Sequence, residues 1–413
     1  MLFIYNLIIR IVYFFIKVIA VFNAKLGLFV SGRKDTFRAL ESIKTNDKVF
    51  WIHAASLGEF EQARPIIEQL KSLYSDYKIV VTFFSPSGYE IRKNYDLADV
   101  VCYLPFDTSK NMRRFIHQVH PDLAIIVKYE FWPNLLNELR KTKTKTLLVS
   151  GIFRKDQLFF KSYGKWMRNF LSAFNHFFVQ NTSSIKLLNQ IDFKNVTLSG
   201  DTRFDRVYKI LNQNNSINFI EEFKNNKYTV VAGSTWKEDE DLLVKYINEV
   251  ATDEEKFIIA PHKIDPVSIE TLRKSILKKT ILYSERNNVN LKNYNVFIVN
   301  TIGILTKIYS YANIAYVGGG LATGLHNILE PATFGIPIIY GDNKYQKFNE
   351  AHELLALGGS KTVKNNKELI STLVELKNNI SLRVAMGNIC KSYINTNIGA
   401  TNTIIAYIKQ HIQ

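Results

Sequence analysis

The stretch YVGGGLATGLHNILEPATFGIPIIYGDNKYQKFN, residues 316–349, carries the architecture. It continues an apolar run, Ile314 to Val317, that reads as a buried strand and breaks into Gly318-Gly319-Gly320. A polar cluster, His326, Asn327 and Glu330, precedes Pro331, and a second apolar run, 336–340, breaks at Gly341-Asp342. The order is strand, glycine-rich loop, helix, strand, loop. Glycines let a loop backbone approach a ligand, and a helix N-terminus behind it offers free N–H groups. In open α/β sheets, ligands bind at the carboxyl ends of strands. The same glycines also suit a βαβ unit that needs only tight turns.

The same pattern repeats outward from this stretch. Apolar runs at 48–54, 78–84, 100–104, 123–127, 146–149 and 176–179 predict one series of buried strands, and 228–232, 257–260, 280–283 and 296–299 begin a second. The polar interval 211–218, LNQNNSIN, is the expected linker. We therefore expect an N-terminal helix over 1–30, one Rossmann-like domain over 31–211 and another over 219–413, facing a central cleft. The last helices, from about Leu369, are expected to pack back on the first domain.

At 413 residues the chain exceeds a single core. Fifty-three Lys and Arg against 37 Asp and Glu leave +16, which calls for an anionic partner. No zinc-finger spacing or nucleic-acid motif accompanies that charge, so a membrane surface or phosphorylated substrates fit it better than nucleic acid. Cys102 and Cys390 stand far apart and provide no disulfide framework. Residues 2–22, LFIYNLIIRIVYFFIKVIAVF, are almost wholly apolar. Arg10 and Lys17 fall on one helical face, so both a bilayer span and an interfacial helix with snorkelling cations are open. Lys25, Arg33, Lys34 and Arg38 behind it favour a cytoplasmic body.

Candidate chemistry sits at strand ends. Glu59 falls at a strand-to-helix turn, where a carboxylate is stabilised in its charged form; that position also suits a plain N-terminal helix acid, as does Glu61. Glu130 lies in KYEFWPN, directly after a strand, and the basic aromatic span 153–174 fits either an anionic lipid head group or a solvated amphipathic helix. Asp239-Glu240-Asp241 has the look of an acidic metal clasp. Glu238, three after Thr235, instead reads it as the capped first turn of a helix. There is no Walker A sequence or nucleophile elbow, no Cys/His cluster has metal spacing, and Gly-x-Gly-x-x-Gly from Gly318 fails at Thr323. The residues leave a phosphate- or nucleotide-type site in the second half, with Lys263 as its cation, and the Glu59 carboxylate in the first.

The blocks WIHAASLGEFEQARP (51–65), FFSPSGYE (83–90), YEFWPN (129–134), SGDTRFDR (199–206), AGSTWKEDE (232–240), APHK (260–263), NTIGIL (300–305) and HNILEPATFGIPIIYGDN (326–343) resemble, in this order, the Kdo transferases of lipopolysaccharide assembly. These are 3-deoxy-D-manno-octulosonic acid transferases. The resemblance implies a GT-B glycosyltransferase, an inverting mechanism, CMP-Kdo as donor, a phosphorylated lipid A precursor (lipid IVA) as acceptor, no metal or other cofactor, and attachment to the cytoplasmic face of the inner membrane. It implies Glu59 as general base and Glu130 as a second acid of the active cleft. Pro261, His262, Lys263, Gly303, Gly319, Asn327 and Glu330 take the nucleotide-binding positions. His262-Lys263 stands where relatives commonly carry Arg-His, which passes the phosphate cation to Lys263. The alternatives are a transferase or epimerase using another nucleotide sugar, and an inactive lipid-binding paralogue.

Overall fold

The computed structural model describes residues 1–411. Two compact units divide it: Met1–Arg206 with the chain from Asn397 onward, and Val207–Thr396. The boundary thus lies ahead of the polar interval 211–218, and the helix Ala400–His411 belongs to the first unit, where Ile404, Ile405 and Ile408 enter its core. Asp205 anchors that return, accepting from the backbone N–H and the hydroxyl of Thr401, each at 2.6 Å.

The first unit is built on seven parallel strands: β1 (Lys48–Ala54), β2 (Tyr77–Phe83), β3 (Val100–Tyr103), β4 (Leu123–Val127), β5 (Lys145–Gly151), β6 (His176–Val179) and β7 (Val196–Leu198). Their order is β3-β2-β1-β4-β5-β6-β7. The strands are apolar without alternation because helices cover both faces. In β1, Phe50, Ile52 and Ala54 enter one core and Val49 and Trp51 the other. The helix Leu57–Leu73 buries Phe60, Ala63, Ile66, Ile67 and Leu70 against the first of these cores. Phe60 is fully buried against Phe83 and Tyr95, so Phe60→Ala costs about 3–5 kcal/mol.

The second unit has β8 (Tyr228–Thr235), β9 (Glu255–Pro261), β10 (Thr280–Leu282), β11 (Val296–Ile298), β12 (Ile314–Val317), β13 (Ile338–Gly341) and β14 (Ser360–Val363), again all parallel. The order is β10-β11-β9-β8-β12-β13-β14. The strand order of each parallel sheet turns back near its middle, between β1 and β4 and between β8 and β12. Those reversals open a crevice beyond the strand ends, where ligands of such sheets bind.

The helix Leu2–Ile19 lies along the first unit. Tyr5 donates to Asp107 Oδ2 at 2.7 Å, Asn134 donates to Asn6 Oδ1 at 2.7 Å, and Tyr13 stacks on Phe106 at 4.3 Å. Its opposite face is bare: Phe3 is 81% and Phe14 63% exposed, with Leu7, Ile11, Phe15 and Val18 beside them. Among the described residues this is the one helix long and apolar enough to cross a membrane. Arg33, expected as a surface cation, is instead buried among Phe29, Phe84 and Tyr103. It donates to the carbonyls of Phe29 and Phe84 at 2.8 and 2.7 Å, and burial lowers its pKa to about 10.

Candidate active site

In the first unit, Glu59 and Glu130 flank the sheet reversal, one after β1 and the other after β4. Glu59 sits in the first turn of the helix Leu57–Leu73, half-buried, and Ser56 Oγ donates to its Oε2 at 2.6 Å. No ion pair engages it among the described residues. Glu61 behaves differently, pairing with Arg206 at 2.7 Å and Arg92 at 2.9 Å. The structural role open to either acid therefore falls to Glu61, and the second carboxylate oxygen of Glu59 has no hydrogen-bond partner among the described residues.

Glu130 is held more tightly. Trp132 Nε1 donates to its Oε2 at 2.6 Å, and fully buried His53 approaches the same oxygen through Nε2 at 3.2 Å. Burial pushes this carboxyl up, but the contacts to His53 and the Trp132 bond outweigh it and hold Glu130 below the usual carboxylate range. Nε2 therefore carries the hydrogen. On the far side, Trp51 Nε1 donates to Thr82 Oγ1 at 2.9 Å, and His53 Nδ1 faces both that oxygen at 2.8 Å and the Thr82 carbonyl oxygen at 3.1 Å. The relay fixes Glu130 as an ionised, immobile carboxylate. Sequence reading missed His53 and Trp132, although both stand inside motif blocks.

In the second unit the crevice lies beyond β8 and β12. Asp239, in the first turn of the helix Lys237–Glu249, ties the two strand ends together. It accepts from Trp236 N and Gly319 N at 2.9 Å each and from Tyr316 OH at 2.8 Å. The capping acid is thus Asp239 on Trp236, not Glu238 after Thr235, and among the described residues no group of three His, Cys, Asp or Glu side chains is placed for a metal. Gly319 has φ +88°, and a Cβ there would lie 2.2 Å from the Gly324 carbonyl oxygen. The glycine loop is therefore required by close backbone packing. The helix behind it, Leu329–Thr333, is only 5 residues long and gives no extended N–H cradle, unlike the one expected.

An aromatic stack closes one side of this crevice. His262 stacks on both Trp236 and His326, with ring centroids 4.7 and 4.5 Å away. Trp236 Nε1 donates to His326 Nε2 at 3.1 Å, and Lys263 Nζ sits 5.1 Å over the Trp236 ring. Burial, then the neighbouring His262, lowers His326 to about 4, so His326 is neutral with its hydrogen on Nδ1. Trp236, Pro261 and Lys263 line a cavity of about 290 Å³. Glu330 accepts from Thr306 Oγ1 at 2.6 Å and Asn327 Nδ2 at 3.1 Å, a pre-set acceptor for a hydroxyl. Gly303 has φ +92° with nothing within 4 Å of a Cβ position. The basic aromatic span is divided: Phe153, Phe159, Phe170 and Phe174 are buried in the core, Phe160 and Trp166 pack partly buried against it, and Tyr163 is exposed.

Comparison with known proteins adds to this geometry. The family described as 3-Deoxy-D-manno-octulosonic-acid transferase (kdotransferase) matches residues 31–206. The chain is 30% identical over 342 residues to the 3-deoxy-D-manno-octulosonic acid transferase of Aquifex aeolicus, covering 81% of this chain and 88% of that one. It is 24% identical over 375 residues to the Haemophilus influenzae protein of the same description, covering 88% and 87%. Among solved structures, the UDP-GlcNAc 2-epimerase of Neisseria meningitidis superposes with TM-score 0.59 at 16% identity, over 88% of this chain and all of that one (100%). MurG of Acinetobacter baumannii superposes with TM-score 0.54 at 12% identity, over 88% and 99%. The architecture is that of GT-B glycosyltransferases, two parallel-sheet α/β domains.

Proposed function

This chain belongs to the 3-deoxy-D-manno-octulosonic acid (Kdo) transferase family, and from that premise we propose that it transfers Kdo from CMP-Kdo to a phosphorylated lipid A precursor, lipid IVA, with inversion. The observation that carries the reading is Glu59: a half-exposed carboxylate at the first sheet's reversal, oriented by Ser56 and paired with no cation among the described residues. It takes the proton of the acceptor hydroxyl as that oxygen attacks the anomeric carbon of Kdo. The new carbon–oxygen bond forms as the bond to the CMP phosphate breaks, and CMP leaves with the electron pair. Glu130, held ionised by His53 and Trp132, lines the acceptor side and does not trade protons.

The donor belongs to the second unit. Lys263 meets the phosphate charge, Pro261 lines the cavity, His262 backs its Trp236 wall, and Glu330 with Asn327 receives a ribose hydroxyl. Gly303 leaves room for the nucleotide, Gly319 lets the loop beside it pack closely, and the reaction takes no metal or other cofactor. The helix Leu2–Ile19 lies on the cytoplasmic face of the inner membrane: its docked face is fixed by Tyr5 and Asn6, and its bare face enters lipid. The test is transfer from CMP-Kdo to tetraacylated, bisphosphorylated lipid A precursor, followed by mass spectrometry with and without EDTA. Products heavier by whole Kdo units, undiminished by EDTA, are expected. Absence of product with bound CMP sinks the acceptor assignment, and absence of CMP binding sinks the donor.

A further inference from the structure

A second charged site lies in the first unit, along the helix Ser109–Val119. Arg10, Lys110, Arg113, Arg114, His117 and His120 line an open cavity of about 820 Å³ that has no acidic residue in its wall. Arg114 is laid over Phe37 at 3.9 Å, and His120 Nε2 contacts the Lys44 carbonyl oxygen at 3.0 Å. Arg10, Lys110 and Arg113 form no ion pair among the described residues. Three unneutralised cations around one concavity repel one another, and an anion relieves that repulsion.

The helix Leu2–Ile19 says where the anion comes from. Its docked face holds Tyr5, Ile9 and Tyr13, its bare face Leu7, Ile11, Phe14 and Val18. At 100° per residue, Arg10 falls on the flank between these two faces. With the bare face in the acyl boundary, that flank sits at head-group depth. Thr45, just before β1, and His120, just before β4, place one end of the cavity at the edge where the strands begin. Glu59 and Glu130 are at the opposite edge.

We propose that this cavity binds the phosphodiester head group of an anionic membrane phospholipid and so fixes the orientation of the protein on the bilayer. The inference rests on the membrane reading of the helix Leu2–Ile19. One end of the cavity, at Thr45 and His120, lies at the edge where the strands begin, and the other, at Ser109 and Lys110, follows the end of β3, so the experiment below includes the acceptor lipid as a separate arm.

The test uses the full chain and vesicle flotation. Phosphatidylcholine vesicles, alone or with phosphatidylglycerol, are compared for wild type, for Lys110→Ala/Arg113→Ala and for a control pair outside the cavity, Lys17→Ala/Lys25→Ala. A surface cation near an anionic bilayer strengthens binding about fivefold, so the two removed in the control set an expected loss of about 25-fold. The cavity pair is expected to lose about tenfold more than the control on phosphatidylglycerol, with binding to pure phosphatidylcholine and the thermal midpoint unchanged. Equal losses in the two pairs overturn the site while leaving membrane attachment standing. Failure of wild type to float with either vesicle overturns both. A loss seen only when vesicles carry the bisphosphorylated lipid A precursor, and not with phosphatidylglycerol, overturns the phospholipid assignment in favour of the acceptor.

Discussion

His53 Nε2 stands 3.2 Å from Glu130 Oε2, joining a fully buried imidazole of β1 to the carboxylate that follows β4. The neighbouring strands of the sheet reversal are thereby linked by side chains as well as by their backbone ladder. Removing the imidazole leaves a buried carboxylate with only Trp132. His53→Leu is expected to cost about 3 kcal/mol, the usual penalty for orphaning one partner of a buried pair. In calorimetry that lowers the first unit's midpoint by roughly 6–12 °C. Because Glu130 is held low in the folded state, its contribution is present above the ordinary carboxylate pKa and fades as pH falls through the folded value. The acid limb of wild-type stability should flatten in His53→Leu, and an unchanged limb removes His53 from this role.

Glu59→Gln keeps the hydrogen bond from Ser56 and deletes the base. Transfer should fall by about 10²–10⁴-fold, the range for a lost general base. CMP affinity and the melting profile should stay at wild-type values, since Glu59 supports no ion pair among the described residues. Turnover within threefold of wild type rules the role out. Glu61→Gln is the contrasting variant: it breaks the links to Arg92 and Arg206 and should lose stability before it loses rate.

The inner strands were legible because burial on both sides leaves them as unbroken apolar runs, as in KVFWIHA. β7 and β14 were not: they are edge strands, and VTL and SKTV carry too little apolar character to stand out. The span 153–174 reads as an amphipathic surface because its cations alternate with rings, yet Phe153, Phe159 and Phe174 meet Phe131 and Phe177 inside. Glu59 was visible as a strand-end acid. Asp239 was not visible as the partner of Gly319, because their contact follows from β8 lying beside β12, a strand order that periodicity does not encode.

That contact makes Asp239 testable. Asp239→Asn turns an acceptor of three hydrogen bonds into an amide whose NH₂ must face at least one donor among Trp236 N, Gly319 N and Tyr316 OH. An orphaned buried donor costs about 1–3 kcal/mol. The glycine loop should loosen, with CMP affinity in titration calorimetry falling about tenfold. Wild-type affinity in this variant breaks the link between Asp239 and the nucleotide site.

Gly319→Ala attacks the same loop from the other side. A Cβ cannot be placed 2.2 Å from the Gly324 oxygen, and φ +88° is itself unfavourable for alanine. The loop must open by displacing Gly324 or the His326 ring. We expect a stability loss of about 2 kcal/mol and CMP affinity reduced at least as far as in Asp239→Asn. If both quantities hold at wild-type values, the close packing of this loop does not matter to binding.

His326 supplies a pH signature for the second unit. Its pKa drops to about 4 in the folded chain through burial and the neighbouring His262, against an ordinary value near 6.5. Between those values the unfolded chain takes up the proton and the folded chain does not. Stability is therefore complete above about pH 6.5 and declines as pH falls toward 4. For a half-exposed ring, solvent screening limits the loss to about 1–2 kcal/mol. His262, also lowered, adds a change of the same sign that persists when His326 is replaced. His326→Gln should thus show a shallower decline of the unfolding midpoint from pH 7 to pH 4.5. Superimposable profiles for the two proteins show that the imidazole gains nothing from neutrality in the stack against His262.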